Sequence, residues 1–173
     1  MQILAGTRQQ LAKLTFNSII IDNVEITRSL EARNLGVTFD SELNMKAHIG
    51  SICQTSFFQL RGISSIRKYL TKEATATIVH AFVSSRIDGC NSLLYGLPQK
   101  DITCLKIVHH AAARVVSKTR KYDHITPILK ELHSLPVEAR IIYKYLIITW
   151  KAIHGIAPQY LCELMHIDQT RSR

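Results

Sequence analysis

The sequence predicts a mainly α protein with a small N-terminal β element (α+β): a bundle of about five helices preceded by a three-strand β piece. Three observations carry that prediction. Apolar residues recur at three-and-four spacing through most of residues 45–161, as they do on helices with a buried face. Runs of β-branched residues with strand-like alternation fall within residues 18–40. Hydroxyl caps, glycines and prolines stand between these runs, where helices start and stop. With 173 residues, 46% of them hydrophobic, the chain can bury the core of one domain or one and a half.

Taken in order, residues 7–14 predict a short helix capped by Thr7. Residues 18–21 and 24–27 flank Asp22-Asn23, a pair that tolerates the left-handed angles of a hairpin turn. Residues 33–40 (RNLGVTFD) alternate Leu35, Val37 and Phe39 on one face and predict a third strand. Three short strands need something to pack on, either the helices or further protein. Asn44 or Ser41 then caps a helix whose buried face is Met45, Ile49, Ile52, Phe57, Leu60 and Ile63.

Residues 71–98 predict the central helix. Thr71 is the cap, Glu73 sits in the first turn where the dipole favours a carboxylate, and Gly96 and Pro98 close it. Glu73, Thr77, His80, Ser84, Asp88 and Tyr95 fall on one narrow strip, and an apolar surface wider than half the cylinder covers the rest. Residues 99–118 form the next helix, with Ile102, Leu105, Val108, Ala112, Val115 and Val116 as its core stripe. Thr126-Pro127 starts a short helix over 128–133. Pro136 opens a longer helix over 137–154, apolar nearly all round and therefore expected to be buried. Gly155 ends it, a last turn runs from Pro158 through Met165, and 168–173 is a loose tail. The expected units are 1–44 (short helix and strands), 45–125 (helical domain), 126–167 (helical extension) and the tail.

The formal charge is +9, and its location matters more than its size. Residues 1–60 hold five basic and five acidic side chains, whereas 61–173 hold seventeen and eight. Such a one-sided basic surface suggests a polyanion. Cys53, Cys90, Cys104 and Cys162 are widely spaced and no signal-peptide pattern opens the chain, so an intracellular, reduced, cytoplasmic protein is expected. The apolar stretch 141–150 is too short to span a bilayer, and Arg140, Lys144 and Lys151 interrupt it, so no membrane partner is expected.

Few residues invite catalytic chemistry. Metal-dependent polymerases and nucleases hold paired ions on clustered carboxylates, and here the acidic residues are scattered. Asp40 and Glu42, the nearest thing to a pair, stand at a strand-to-helix junction where capping is the ordinary job. Cys104 with His109 and His110 lacks a second close pair of zinc ligands, and Cys104 reads as a buried thiol. No glycine-rich phosphate loop occurs. The functional signal above background is basic: Lys106, His110 and Arg114 on one side of the helix over 99–118, with Lys100 and Lys118 at its margin and Arg120 and Lys121 beyond. Arg61, Arg67 and Lys68 crowd the junction before the central helix. A rigid helix presents cations every three or four residues, as a phosphate backbone requires, but a solvated face that binds nothing has the same pattern. Tyr69 and Tyr122 stand beside these clusters, placed to stack on bases.

Five blocks in order, EARNLGVTFDSELNMKAHI (31–49), SFFQLRGISSIRKYL (56–70), HAFVSSRIDGCNSLLYGLP (80–98), AAARVVSKTRKYDHITPILKELHSLP (111–136) and TWKAIHGIAPQYL (149–161), resemble the C-terminal part of reverse transcriptases of jockey-like, LINE-type (non-LTR) retrotransposons. GTRQQLAKL (6–14) resembles the piece just after the palm's catalytic strands. The resemblance implies the end of a palm, a helical thumb-like bundle and an extension, in a transposable-element enzyme that is an RNA-directed DNA polymerase with access to the nucleus. The family's catalytic aspartates would precede Met1, so this fragment carries no catalytic residues, no metal ligands and no cofactor; Mg²⁺ belongs to the intact parent. Gly89 stands where the family usually has an aromatic, and Ser134 where a tryptophan is common. The implied role is non-specific binding of RNA or an RNA–DNA hybrid along its backbone by Arg61, Arg67, Lys68, Lys100, Lys106, Arg114, Lys118, Arg120 and Lys121, with the missing palm as a further partner. The rival expectation is a non-catalytic helical relic or a domesticated protein-interaction domain.

Overall fold

The computed structural model describes residues 2–3, 5–13, 18–21 and 24–164. β1 (Gln2–Ile3) lies parallel to β3 (Val24–Ser29), which pairs antiparallel with β2 (Ser18–Ile21). Ile21 stands opposite Val24, as the expected hairpin requires, and its turn residues Asp22 and Asn23 lie outside the described residues. Between β1 and β2 comes α1 (Arg8–Ala12), closed by a reciprocal cap. The Gln10 amide donates to the Thr7 hydroxyl at 3.3 Å, and the Thr7 amide donates to the Gln10 side chain at 2.9 Å.

The expected strand over 33–40 is instead a second hairpin, β4 (Glu31–Asn34) and β5 (Val37–Asp40). Leu35 and Gly36 take φ of +48° and +85° and form its two-residue turn, in which both central residues are left-handed. Leu35 is 93% exposed, whereas Val37 is buried and Phe39 packs against the core. The alternation that suggested one strand therefore runs across a turn, and the glycine was its mark.

Asp40 then builds the entry to the next helix, α2 (Lys46–Ile66). Its carboxylate accepts the backbone N–H groups of Glu42 (3.1 Å), Asn44 (2.9 Å) and Met45 (2.8 Å), while the Asn44 side chain accepts that of Lys46. This composite cap stabilises Met45 at φ +58°. The β5 strand is tied to α2 by the Thr38 amide, which donates to His48 Nδ1 at 3.4 Å, and burial pushes that imidazole below its ordinary pKa.

Residues 71–98 do not form one helix. α3 (Lys72–Val79) runs through a wide π turn (His80–Ser84) into α4 (Ser85–Asp88), capped by Thr71 as expected. The chain leaves the helix at Gly89 (ψ +115°) and Cys90 (φ +54°), then makes a single 3-10 turn over Asn91–Leu94. Gly89 thus ends a helix rather than weakening the middle of one. The turn swings Cys90 and Leu93 out to solvent, away from the apolar side that an unbroken helix would give them.

α5 (Gln99–Ser117) has the expected bounds, with Lys118 as its left-handed C-cap at φ +56°. It packs along α2, and α3–α4 lies across both, so the α2–α5 pair is the centre of the molecule. Val83, Ile87, Leu105 and Val108 are essentially inaccessible, each contributing roughly 2 kcal/mol of apolar burial. α6 (Ile125–Glu131) starts before Thr126-Pro127, since proline is tolerated anywhere in a first turn that lacks N–H partners. Ala113 of α5 with Ile128 and Leu129 of α6 forms a smaller core. α7 (Val137–Ile153) follows Pro136, and Gly155 at φ +67° precedes Pro158 and α8 (Gln159–Glu163). Contrary to expectation α7 is not buried: Val137, Ile141 and Ala152 are, while Ile142, Leu146, Trp150 and Ile153 face solvent. Met165 and the tail 168–173 lie outside the described residues. No helix among the described residues is long and apolar enough to cross a membrane.

Candidate nucleic-acid interface

The basic residues that the sequence groups together divide in space into fasteners and free cations. Arg67 follows the end of α2, and each of its three guanidinium nitrogens donates a hydrogen bond. Nε donates to the Val115 carbonyl at 2.9 Å, Nη2 to that of Val116 at 2.8 Å, and Nη1 to that of Leu70 at 2.8 Å. Val115 and Val116 lie in the last turn of α5, whose carbonyls have no partner within the helix, and a cation is favoured there by the dipole.

Lys106 is a fastener too. Its ammonium reaches Glu138 Oε1 at 2.8 Å, and Gln99 Nε2 donates to the same oxygen at 2.9 Å, so α5 is tied to the first turn of α7. The Lys106 hydrogen bond is the largest cause holding the Glu138 carboxyl below its ordinary range. Arg114 Nη2 donates to the Asp123 carbonyl at 3.3 Å, while its buried Nε finds no acceptor. His110, half-buried between them, is pushed below its ordinary pKa by burial first and then by Arg114 and Lys106. Lys106 and His110 border an open groove of about 650 Å³, floored by Ile125, Leu129, Leu135 and Pro136. The strip is therefore a seam between helices, not an outer face.

Arg61, Lys68, Lys100, Lys118, Arg120 and Lys121 are exposed. Because Arg67 holds the α2–α3 junction against the last turn of α5, Lys68 lies at the same end of the bundle as Lys118 and the loop that carries Arg120 and Lys121. The Lys68 ammonium lies 4.8 Å from the Tyr69 ring centroid, and Tyr69 and Tyr122 are 77% and 90% exposed. Asp123 tightens the loop by accepting the Arg120 amide at 2.7 Å. Lys100 begins the opposite end of α5, roughly 27 Å away at 1.5 Å per residue.

A polar chain that the sequence reading missed joins α4, α5 and α7. Arg140 Nη1 pairs with Asp88 Oδ2 at 2.8 Å, its Nε donates to the Leu135 carbonyl at 2.8 Å, and Nη2 donates to Ser134 Oγ at 2.8 Å. The Ser134 hydroxyl stands 2.9 Å from His109 Nε2. Arg140 Nη2 also stands 3.4 Å from His109 Nε2, and a cationic donor there favours Nε2 as the acceptor, with the ring proton on Nδ1. Burial, then Arg140 and His110, push the His109 pKa down to about 4, in keeping with a neutral ring. This is no hydrolytic triad, because the Asp88 carboxylate holds Arg140 rather than the imidazole. Asp88, His109, Ser134 and Arg140 were each noted in the sequence for other reasons; nothing in the spacing linked them to one another.

Among the described residues no three His, Cys, Asp or Glu side chains are placed to hold a metal ion. Cys104 neighbours Cys53, whose thiol pKa is pushed up to about 12 by burial and by that second thiol. Asp40, engaged by three backbone amides, is a cap. Compared with protein-family models, with curated proteins and with solved structures, the chain has no significant match.

Proposed function

We propose that this chain binds the backbone of an RNA–DNA hybrid or of RNA through the bundle end that carries Lys68, Lys118, Arg120 and Lys121. In this reading it is the palm end and thumb of a non-LTR retrotransposon reverse transcriptase, inactive alone because the parent's aspartates are elsewhere. The observation that carries the reading is the Arg67 brace, which gathers cations from two separate stretches of sequence at one exposed end. Exposed Tyr69 and Tyr122 beside them offer stacking surfaces. Arg67, Lys106 and Arg114 serve this surface indirectly, by keeping the helices that present it rigid. A shallow A-like minor groove is gripped by shape and charge rather than by base-reading forks, which suits short loops of lysine and arginine.

Fluorescence anisotropy with a labelled RNA–DNA hybrid tests this. Four neutralised phosphates give a log–log salt slope of about −3.6, hence roughly a hundredfold loss of affinity between 50 and 200 mM salt. The triple variant Lys118→Glu, Arg120→Glu, Lys121→Glu should abolish most binding, while Lys100→Glu at the far end should change it by less than about twofold. A flat salt response, or equal effects of the two variants, would reject the assignment. The uncovered face of α7 favours a protein-interaction role as an addition to this one.

A further inference from the structure

A half-open cavity of about 240 Å³ lies where the β4–β5 hairpin meets α2 and the end of α4. Arg33 borders it from β4, where it stands opposite Thr38 in the hairpin, and Arg86 borders it from α4. No carboxylate lines the cavity, and among the described residues neither arginine belongs to an ion pair. The third donor is His48 of α2, which is 7% exposed. Its Nδ1 accepts the Thr38 amide at 3.4 Å, so the neutral ring carries its proton on Nε2, and that N–H has no acceptor among the described residues. After burial, Arg33 is the further cause that lowers the His48 pKa, which sets the guanidinium close to the imidazole. The Ser51 hydroxyl, about one turn further along α2, borders the same cavity. Buried Val37 and Ile52 form its apolar wall, and such a wall concentrates the positive potential of the two arginines.

We infer that this cavity is a binding site for a small phosphomonoester, whose oxygens are held by the forks of Arg33 and Arg86 and by the Nε2–H of His48. A phosphomonoester carries nearly two negative charges at neutral pH and presents three terminal oxygens. That matches two guanidiniums and a set of donors arriving from three elements of the fold. A phosphodiester within a polynucleotide has one charge and two free oxygens, and a carboxylate likewise, so either leaves one guanidinium unmatched. Planar forks bind such oxygens in pairs, which a lysine ammonium does not. The volume lies below the roughly 300–1,000 Å³ of cavities that take drug-sized molecules, so a phosphate on a short substituent suits it better than a whole nucleotide. The site also stands apart from the surface assigned to the hybrid: His48 and Arg67 are separated by roughly 28 Å along α2. What the Lys118 end binds therefore has no bearing on it.

Isothermal titration with phenyl phosphate tests this, at about 150 mM salt so that exposed charges are screened. Dimethyl phosphate, a diester, and benzoate, a carboxylate, serve as comparison ligands. Phenyl phosphate should bind with one-to-one stoichiometry and about tenfold more tightly than either of them. Arg33→Gln and Arg86→Gln should each weaken it about tenfold, the scale of one charge-assisted hydrogen bond. Both should leave the urea midpoint unchanged, because these side chains are exposed and belong to no ion pair among the described residues. Arg33→Lys keeps the charge without the fork and should recover only part of the loss. The triple variant Lys118→Glu, Arg120→Glu, Lys121→Glu should bind phenyl phosphate as the wild type does. No binding of phenyl phosphate, equal binding of the three ligands, or wild-type affinity in both arginine variants overturns the inference. It is equally overturned if the triple variant loses phenyl phosphate, or if the arginine variants weaken only an RNA–DNA hybrid, since the cavity would then hold a backbone diester.

Discussion

Replacing Arg67 by alanine should show whether this residue braces the fold or contacts a ligand. The change removes hydrogen bonds to Val115, Val116 and Leu70 at once. Bonds from a charged donor are worth about 1.5 kcal/mol each net of water. Sharing one guanidinium makes them non-additive, and water reaches part of this half-buried site, which brings the total to about 3 kcal/mol. For a chain of this size the urea m value is about 2 kcal/mol/M, so the unfolding midpoint followed by circular dichroism should fall by about 1.5 M. Arg67→Lys keeps the charge but replaces a planar fork by a point donor, and should recover only about 1 kcal/mol of the loss. Hybrid affinity, measured without urea where every variant is folded, should change far less for Arg67→Lys than for the Lys118, Arg120, Lys121 triple variant. The reasoning fails if Arg67→Lys keeps the wild-type midpoint, or if Arg67→Ala weakens hybrid binding without moving the midpoint.

Two further outcomes follow, one from the buried His109 and one from the proposed thumb reading. Because the folded His109 binds a proton only near about pH 4 while an unfolded histidine does so near 6.5, its contribution is complete above 6.5 and is lost as pH falls towards 4; this amounts to as much as about 3 kcal/mol, and His109→Gln should flatten most of that decline in urea midpoints between pH 7 and 4.5. In a primer-extension assay with Mg²⁺ and labelled nucleotides the chain should form no template-dependent product, and any such product would overturn the reading of a thumb separated from its catalytic aspartates.

The helices were legible where one residue type decides the outcome. Thr71 as a cap, Pro136 before α7, Gly155 after it and the stripe from Ile102 to Val116 all act through local sterics or a single buried face, and all stand as expected. The failures came where two local signals competed. Residues 33–40 alternate like a strand, but Gly36 permits a turn that closes a hairpin, and the hairpin satisfies more backbone groups than a single strand. Residues 71–98 keep helical spacing past Asp88, yet the helix ends at Gly89, and Asp88 in its last turn pairs with Arg140 of α7. No periodicity shows that, because the partner lies 52 residues away. The apolar circumference of α7 shows that it is capable of burial all round, but how many neighbours surround a helix depends on the rest of the fold.

The fate of the basic strip follows from that same dependence. A row of cations on one side of a helix faces water only when the helix has neighbours on its other sides alone, and α5 touches α2, α3, α6 and α7. Lys106 and Arg114 therefore meet protein acceptors first, in Glu138 and the Asp123 carbonyl, at intramolecular concentrations that no free phosphate can match. The end of α5 obeys a different balance. Its unpaired carbonyls would ordinarily attract the nearest cations and repel phosphate, but Arg67 arrives from α2 and satisfies Val115 and Val116. Lys118, Arg120 and Lys121 are thereby released from capping their own helix and left facing outwards. In this bundle it is the arginine from α2, rather than the lysines of its own C-terminal loop, that caps the end of α5.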